Sequence, residues 1–428
     1  GTTKNVGNLI EGNGYCKDEA DVANKIYVCK TCAKICVDTF QKEENSKKAK
    51  KTKPKSKISI PSPRELVKYL DDYVIGQEES KKKLSVEVSN HFQRIMDFDE
   101  CGSSKNHLVR NSSLSNVVIE KSNIILIGPT GSGKTLLARS LADKLKVPLA
   151  IGDATTLTEA GYVGEDVENL LLKLLIASNY DVELAQRGIV YIDEIDKLRS
   201  TGGNVSISRD VSGQGVQQSL LKLIEGTISN VPPQGGRKHP EQQCIQIDTT
   251  NILFIVGGSF VGIDEIIAKR LNVNRSVGFH AVPQSEKGKK QKYNELLAQV
   301  TSEDIEHFGI IPELVGRLPI IAPLEELDLA SMKRILVEPK NALLKQEQKK
   351  LLFKGINLEF TEDAIDEIAE QAMKKMTGAR ALRSVVAEIM TDIHYDLENE
   401  KQGSKIVIDR NVVKKINKAV VQKHSDAA

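Results

Sequence analysis

The residues best suited to chemistry form a glycine-rich segment that ends in a lysine and a hydroxyl. It fills every position of the pattern G-x-x-x-x-G-K-[S/T] with Gly128, Pro129, Thr130, Gly131, Ser132, Gly133, Lys134 and Thr135. Its glycines allow backbone N–H groups to converge on phosphate oxygens, and a following helix adds the positive end of its dipole. Lys134 is expected to reach the β- and γ-phosphates, and Thr135 to ligate Mg²⁺. With Leu136 as a further contact, this segment predicts a nucleotide site.

Two adjacent acidic residues indicate that the bound nucleotide is hydrolysed. The apolar run Ile189 to Ile192 is followed directly by Asp193 and Glu194. A carboxylate at the end of a strand can hold Mg²⁺, and a Glu beside it can orient and deprotonate the water that attacks the γ-phosphate. Asp193 is therefore the candidate metal ligand and Glu194 the candidate general base, so ATP hydrolysis is the working hypothesis.

Both motifs need a parallel sheet to position them. Residues 63–322 alternate short apolar runs with helical patterns, which is typical of an α/β domain. The expected strands include Ile124 to Ile127, Ile189 to Ile192 and Ile252 to Val256. After the phosphate loop, Leu137, Leu141 and Leu145 recur at helical spacing. Two polar stretches, Asp99 to Ser122 and Gln284 to Gln291, are predicted to be surface loops.

The character of the chain changes at residue 323, and residues 323–428 predict a smaller α-rich domain. Thr361 is expected to cap a helix that has Glu362 and Asp363 in its first turn and stops at Gly378. The apolar face of that helix comprises Ile365, Ile368, Ala369, Ala372 and Met376.

The overall composition argues against disordered, nucleic-acid-binding and membrane-spanning proteins. With 428 residues, 40% hydrophobic and 28% charged, the chain is globular. A net charge of +2 argues against a nucleic-acid partner, and no apolar run is long enough to span a bilayer, so we expect no membrane partner.

The amino-terminal part differs from the rest in its cysteines and lysines. Residues 1–40 contain Cys16, Cys29, Cys32 and Cys36, a density that favours metal over disulfide chemistry in a reducing compartment. Residues 41–62 are Lys-rich and carry almost no apolar side chains, which predicts a flexible linker, with nucleic-acid contact as the alternative.

Longer segments resemble a known family. They are Asp153 to Asp166, Arg209 to Gly213, Asn230 to Pro240 and Ile311 to Pro319, with the shorter Tyr73 to Gln77 and Thr377 to Arg380. Together they resemble the ClpX-type protein unfoldases of the AAA+ superfamily. The resemblance implies a large AAA+ ATPase domain, a smaller AAA+ lid domain and a small amino-terminal zinc-binding unit.

The resemblance also implies a homohexamer that binds ATP, threads protein substrates through its pore and feeds a Clp-type peptidase. Arg317 then corresponds to the arginine finger directed at a neighbouring subunit, and Arg380 to a sensor of the nucleotide in its own subunit. Val74 and Ile75 correspond to contacts with adenine.

Contacts with other proteins are implied at three further segments. Tyr162 and Val163 resemble the pore loop that grips substrate, and Arg237, Lys238 and His239 resemble the basic pore entrance. Val277, Gly278 and Phe279 occupy the place of the peptidase-docking loop, where Val replaces the family's Ile or Leu.

The implied zinc site is only partly represented. The family has two Cys-x2-Cys pairs, whereas Cys29 and Cys32 form one pair here. Either a second pair lies upstream, or Cys16 and Cys36 complete an unusual site for Zn²⁺. A cysteine pair that binds no metal is the third alternative.

The sequence is also compatible with two other functions: a freestanding remodelling chaperone and a nucleic-acid-dependent AAA+ motor. Substrates, possible adaptors and compartment are not fixed by the sequence. The expected compartment is the cytoplasm of a bacterium, or otherwise a mitochondrial or plastid matrix.

Overall fold

A computed structural model describes residues 9–13, 25–29, 60–99, 117, 119–158, 165–199, 213–232, 244–272, 286–375, 377–396, 404–416 and 420–422. Residues 1–59 and 60–428 form separate units. In the first unit, strands β1 (Leu9–Asn13) and β2 (Lys25–Cys29) pair antiparallel.

The second unit is built on a five-stranded parallel sheet, as the apolar runs predict. Its strand order is β11-β3-β10-β7-β4. The strands are β3 (Ile124–Ile127), β4 (Leu149–Asp153), β7 (Ile189–Asp193), β10 (Leu253–Gly258) and β11 (Ile320–Pro323). Because all five run in the same direction, the phosphate loop after β3 and Asp193 at the end of β7 lie at one edge of the sheet.

Smaller strand pairs lie outside this sheet. They are β5 (Leu157–Thr158) with β6 (Glu165–Asp166), and β8 (Ile228–Val231) with β9 (Ile245–Asp248).

Helices cover both faces of the large sheet. They are α1 (Pro63–Asp71), α2 (Glu78–Asp99), α3 (Lys134–Leu145), α4 (Asn169–Ala177), α5 (Val182–Ala185), α6 (Gln214–Glu225), α7 (Ile263–Arg270), α8 (Glu286–Leu297), α9 (Ser302–Phe308) and α10 (Pro312–Gly316). Strand β3 shows the two-sided burial: Ile125 and Ile127 enter one hydrophobic core, and Ile124 and Leu126 the other. Within the described residues, no helix is long and apolar enough to cross a membrane.

The sequence prediction for Gln284 to Gln291 was wrong. Helix α8 (Glu286–Leu297) occupies most of this stretch instead of a surface loop. The first half of α8 is Lys-rich and has no apolar periodicity, so nothing local marks it as helical. Its other half carries Leu296 and Leu297, which are buried in the core. Packing of that half therefore supports the whole helix.

A separate hydrophobic core defines what we call the small domain. Its helices are α11 (Leu329–Val337), α12 (Leu343–Leu352), α13 (Glu362–Lys374), α14 (Ala379–Asp396) and α15 (Arg410–Val413). They pack with a three-stranded sheet of β12 (Asn357–Phe360), β13 (Lys405–Ile408) and β14 (Val420–Gln422).

The predicted capped helix of the small domain is present as α13. The Thr361 hydroxyl accepts a hydrogen bond from the Ala364 N–H, as expected of an N-cap. Along the helix Ile368, Ala369 and Ala372 are buried, which confirms the predicted face; Met376 lies outside the described residues.

The two domains are bonded together next to the loop that carries Val74 and Ile75. The Gln77 side chain donates to the Glu325 carbonyl at 2.9 Å and accepts from the Glu325 N–H at 2.8 Å. A few residues away, the Lys340 ammonium pairs with the Asp72 carboxylate at 2.6 Å. Residues 72–77 therefore contact both the interdomain connection and the small domain.

Candidate nucleotide site

The glycines of the phosphate loop are required by backbone geometry. Gly131 and Gly133 have φ angles of +82° and +103°, in the left-handed region that favours glycine. Gly128 has another constraint: a Cβ atom there would lie 2.6 Å from the Leu324 carbonyl oxygen. The glycines therefore let the loop turn sharply from β3 into α3 and pack closely on the backbone of Leu324.

Lys134 is held inside this loop by carbonyl groups. Its ammonium donates to the carbonyl oxygens of Gly128 at 2.6 Å and Pro129 at 3.0 Å, and the residue is buried. Burial lowers the pKa of Lys134, and nearby Asp193 opposes that shift. The Ser132 hydroxyl oxygen is also buried and has no hydrogen-bond partner among the described residues. A desolvated cation and a free hydroxyl beside a glycine loop fit a phosphate group.

The structure brings the two predicted magnesium ligands together. The Thr135 hydroxyl donates to one Asp193 carboxylate oxygen at 3.0 Å, and the Glu194 N–H donates to the other at 3.0 Å. A hydroxyl next to a carboxylate supplies the hard oxygen ligands that Mg²⁺ prefers. The donor set of Thr135 and Asp193 thus fits a magnesium–nucleotide complex.

Glu194 has a strained backbone, and its carboxylate lies at the turn that follows β7. Its φ is +59°, an uncommon conformation for a residue other than glycine, which costs on the order of 1 kcal/mol or more. No side chain of the described residues hydrogen-bonds its half-buried carboxylate. The turn after β7 therefore presents a carboxylate that is available to bind water.

A second polar link, which was not predicted from the sequence, lies at this edge of the sheet. The buried Asp196 carboxylate accepts hydrogen bonds from the Ser259 N–H at 3.0 Å and the Ser259 hydroxyl at 2.8 Å. Ser259 follows Gly258, whose carbonyl accepts the Gly128 N–H at 3.2 Å. Asp196 could have been found from the sequence, because it is the third acidic residue of the run that begins with Asp193. No sequence pattern marks Ser259.

The segment predicted to contact adenine lies next to the phosphate loop. Val74 and Ile75 are buried, and a Cβ at Gly133 would be 3.7 Å from a Val74 methyl group. The buried Lys81 ammonium fixes this segment by donating to the Val74 carbonyl at 2.5 Å and the Asp71 carboxylate at 2.7 Å. Contact with adenine itself stays a prediction. Leu136, also predicted to bind nucleotide, is exposed on α3.

The small domain reaches the phosphate loop through backbone contacts. A Cβ at Gly378 would lie 2.5 Å from the Thr130 carbonyl oxygen, and the Ala379 N–H donates to the Gly131 carbonyl at 3.3 Å. Arg380 follows in the first turn of α14, exposed and close enough to lower the pKa of Lys134. The structure thus places Arg380 at the same site as Lys134.

Arg317 lies away from this site. Its side chain donates to Glu225 at 3.0 Å, and its carbonyl accepts a hydrogen bond from the Asn123 amide at 3.0 Å. Asn123 precedes β3, whereas the phosphate loop follows β3, and four strand residues span roughly 13 Å. Arg317 is therefore not positioned to contact a nucleotide held by its own loop.

Other predicted site residues lie outside the described residues, and their roles stay predictions. These are Cys16, Cys32, Cys36, Tyr162, Val163, Arg237, Lys238, His239, Val277, Gly278 and Phe279. The backbone of Cys29 is described, at the end of β2.

Comparison with known proteins gives two family matches and close relatives. A model described as "AAA domain (Cdc48 subfamily)" matches residues 119–321, and one described as "C-terminal, D2-small domain, of ClpB protein" matches residues 327–408. The "ATP-dependent Clp protease ATP-binding subunit ClpX" of Borrelia duttonii is 49% identical over 418 residues, covering 95% of this chain and 92% of the relative. The protein of the same name from Treponema denticola is 50% identical over 390 residues, covering 91% and 88%.

We expect Gly378→Ala to weaken nucleotide binding. The new Cβ would collide with the Thr130 carbonyl and move Arg380 away from the loop, so loss of one charged hydrogen bond should lower ATP affinity about tenfold. Gly262→Ala is the matched control because Gly262 also has a positive φ, +91°, but no heavy atom lies within 4 Å of its Cβ position. Calorimetric titration with nucleotide distinguishes the two; equal affinities would contradict the contact.

We expect Glu194→Gln to bind nucleotide normally and to hydrolyse it at least ~100-fold more slowly, because an amide cannot accept the proton of the attacking water. Glu183→Gln, an exposed glutamate on α5, is the control. Steady-state ATPase rates and nucleotide affinity are measured together. Near-normal turnover of the Glu194 variant would remove this residue from the role of base.

Proposed function

Because the chain belongs to the ClpX family of ATP-dependent Clp protease ATP-binding subunits, we propose that it uses ATP hydrolysis to unfold proteins and pass them to a Clp-type peptidase. The observation that carries the ATPase assignment is the Thr135–Asp193 hydrogen bond, with Lys134 buried beside it and the half-buried Glu194 next in the chain after Asp193. The chain is thus an AAA+ enzyme with a parallel α/β sheet.

Each residue of the site has a separate task in this proposal. Backbone N–H groups of the loop and the Lys134 ammonium bind phosphate oxygens. Thr135 and Asp193 would hold Mg²⁺, which neutralises charge on the β- and γ-phosphates. Glu194 orients the attacking water and accepts its proton, while Arg380 contacts phosphate from the small domain. Glu194 then releases its proton to solvent.

We place the ring contacts at Arg317. This residue is exposed, and its partner Glu225 is itself half-exposed, so the ion pair contributes little to the stability of the fold. Arg317 can therefore leave Glu225 and bind a phosphate group instead. Since Arg317 lies at the end of β3 opposite its own phosphate loop, a nucleotide that it contacts belongs to a neighbouring chain. This arrangement supports the homohexamer that we propose.

Domain boundaries follow the hydrophobic cores in this proposal. The large ATPase domain spans residues 63–322 and the small domain residues 323–428. The hydrophobic core on the large-domain sheet extends as far as Leu324, at the start of the connection, and the core of the small domain begins at Leu327. Residues 1–40 are proposed as the zinc-binding unit and residues 41–62 as its linker.

Substrate and peptidase contacts are proposed on family membership and residue type. Tyr162 and Val163 grip the polypeptide in the pore, and Arg237, Lys238 and His239 attract acidic or carboxylate groups at its entrance. Val277, Gly278 and Phe279 dock into the peptidase.

The deciding experiment follows a tagged, stably folded protein incubated with this chain, ATP and a Clp-type peptidase. Degradation is expected only when all three are present. Unfolding without any effect of the peptidase would favour the freestanding chaperone, and ATPase stimulation by DNA rather than by protein would favour a nucleic-acid motor.

We expect Phe279→Ala to separate unfolding from proteolysis. Truncating an aromatic anchor that fills a partner pocket costs about 2 kcal/mol or more at a hot spot, so peptidase binding should weaken at least ~30-fold. Phe353→Ala is the control, since Phe353 is an exposed phenylalanine of the small domain. Undiminished co-sedimentation with the peptidase would show that Phe279 does not dock.

The zinc proposal rests on Cys29 and Cys32. We expect about one zinc per chain, lost when both cysteines are replaced by serine, because structural zinc requires thiolate ligands. Cys244→Ser is the control, since Cys244 lies just before β9 in the ATPase domain. Elemental analysis of the purified proteins decides the question, and equal zinc in all three would contradict the assignment. Adaptor binding through this unit is part of the same proposal.

A further inference from the structure

Tyr191 has a hydroxyl group that the fold does not need. The residue is fully buried, and its hydroxyl oxygen has no hydrogen-bond partner among the described residues. Buried tyrosine hydroxyls are normally paired, because an unpaired polar group in the interior is destabilising. A phenylalanine would fill the same space without that penalty. The hydroxyl therefore points to a role that packing does not supply.

Its position is beside the magnesium ligands. Tyr191 and Asp193 are two residues apart on β7, so both side chains lie on the same face of the sheet. The Tyr191 hydroxyl lies close to the side chains of Thr135 and Asp193. Those two groups are already bonded to each other, and the second Asp193 oxygen accepts the Glu194 N–H.

Space for this hydroxyl is made by Gly257 on the neighbouring strand. Tyr191 pairs with Ile255 in the register of β7 and β10, and Gly257 follows two residues later on the same face. A Cβ at Gly257 would lie 2.3 Å from the Tyr191 hydroxyl oxygen and 3.0 Å from the ring carbon that bears it. Strand β10 thus has no side chain at the position that the Tyr191 hydroxyl occupies.

A tyrosine side chain keeps its phenolic proton at neutral pH. The Tyr191 hydroxyl can therefore donate one hydrogen bond.

We propose that Tyr191 is a positioning residue of the magnesium site and that its hydroxyl donates to the Asp193 carboxylate when Mg²⁺–nucleotide is bound. A cation held by Asp193 would use lone pairs of its carboxylate oxygens. With the Thr135 hydroxyl and the Glu194 N–H, the Tyr191 hydroxyl would be a third hydrogen-bond donor to this carboxylate and would restrict it to one orientation. This inference rests on the proposed roles of Thr135 and Asp193 as the magnesium-holding pair.

The test is Tyr191→Phe, measured in the full chain in two ways. The first is thermal stability without ligand, which should be unchanged or higher, because only an unpaired hydroxyl is lost. The second is ADP affinity by calorimetry, with saturating Mg²⁺ and with EDTA. Affinity with Mg²⁺ should fall about tenfold, the effect of losing one charge-assisted hydrogen bond, whereas affinity in EDTA should not change.

Ser89→Ala is the matched control. Ser89 on α2 is also buried with an unpaired hydroxyl, and it is not among the residues of the nucleotide site. This variant should leave ADP affinity unchanged under both conditions.

The outcomes separate the inference from the proposed function. Normal Mg²⁺-dependent ADP affinity in Tyr191→Phe overturns the inference, as does an equal loss with Mg²⁺ and with EDTA, which indicates a packing role. If ADP affinity of the unsubstituted protein does not respond to Mg²⁺, the roles of Thr135 and Asp193 fail, and the inference fails with them.

A second substitution tests the geometry. Gly257→Ala should destabilise the protein because its Cβ collides with the hydroxyl, and combining it with Tyr191→Phe should restore part of the lost thermal stability. No restoration would overturn the placement of the hydroxyl against Gly257.

Discussion

The hydrogen bond between Thr135 and Asp193 is the interaction on which the site depends. It joins the start of α3, which follows β3 and the phosphate loop, to the end of β7, and β10 lies between β3 and β7 in the sheet. Strand β10 is tied to the same edge because Gly258 accepts from the Gly128 N–H and Ser259 binds Asp196. Three parallel strands that are otherwise apolar thus end in polar side chains and loops that are hydrogen-bonded to one another. These hydrogen bonds fix Thr135 and Asp193 relative to the sheet.

Nucleotide binding and domain arrangement share the same contacts. The small domain meets the phosphate loop through backbone atoms at Gly131 and Gly378, and it meets the loop carrying Val74 through Lys340 and Asp72. A nucleotide that changes either loop must therefore change the free energy of the interdomain arrangement. Because the connection at Glu325 is held by Gln77, movement is expected to concentrate at a few residues near this position.

Sequence alone predicted the parts of this fold that local chemistry determines. Glycine spacing marked the phosphate loop, apolar runs marked the strands, and their shared direction brought Thr135 to Asp193. Contacts between distant segments were not predictable, such as Gln77 with Glu325, which are 248 positions apart. Helix α8 was missed because only its packed half determines its structure. The substrate, peptidase and zinc residues stay predictions, since they lie largely outside the described residues.

The position of Arg317 at the far end of β3 has a consequence for symmetry. Each chain has a phosphate site at one end of that strand and an arginine at the other. When the arginine of one chain contacts the nucleotide of its neighbour, two unlike surfaces therefore form the interface. Such interfaces are heterologous, and repeating them gives a closed ring when the rotation returns to its start, or a filament when it does not. In the proposed hexamer the rotation between neighbouring subunits therefore determines whether the ring closes. Only a closed ring places an arginine next to every nucleotide.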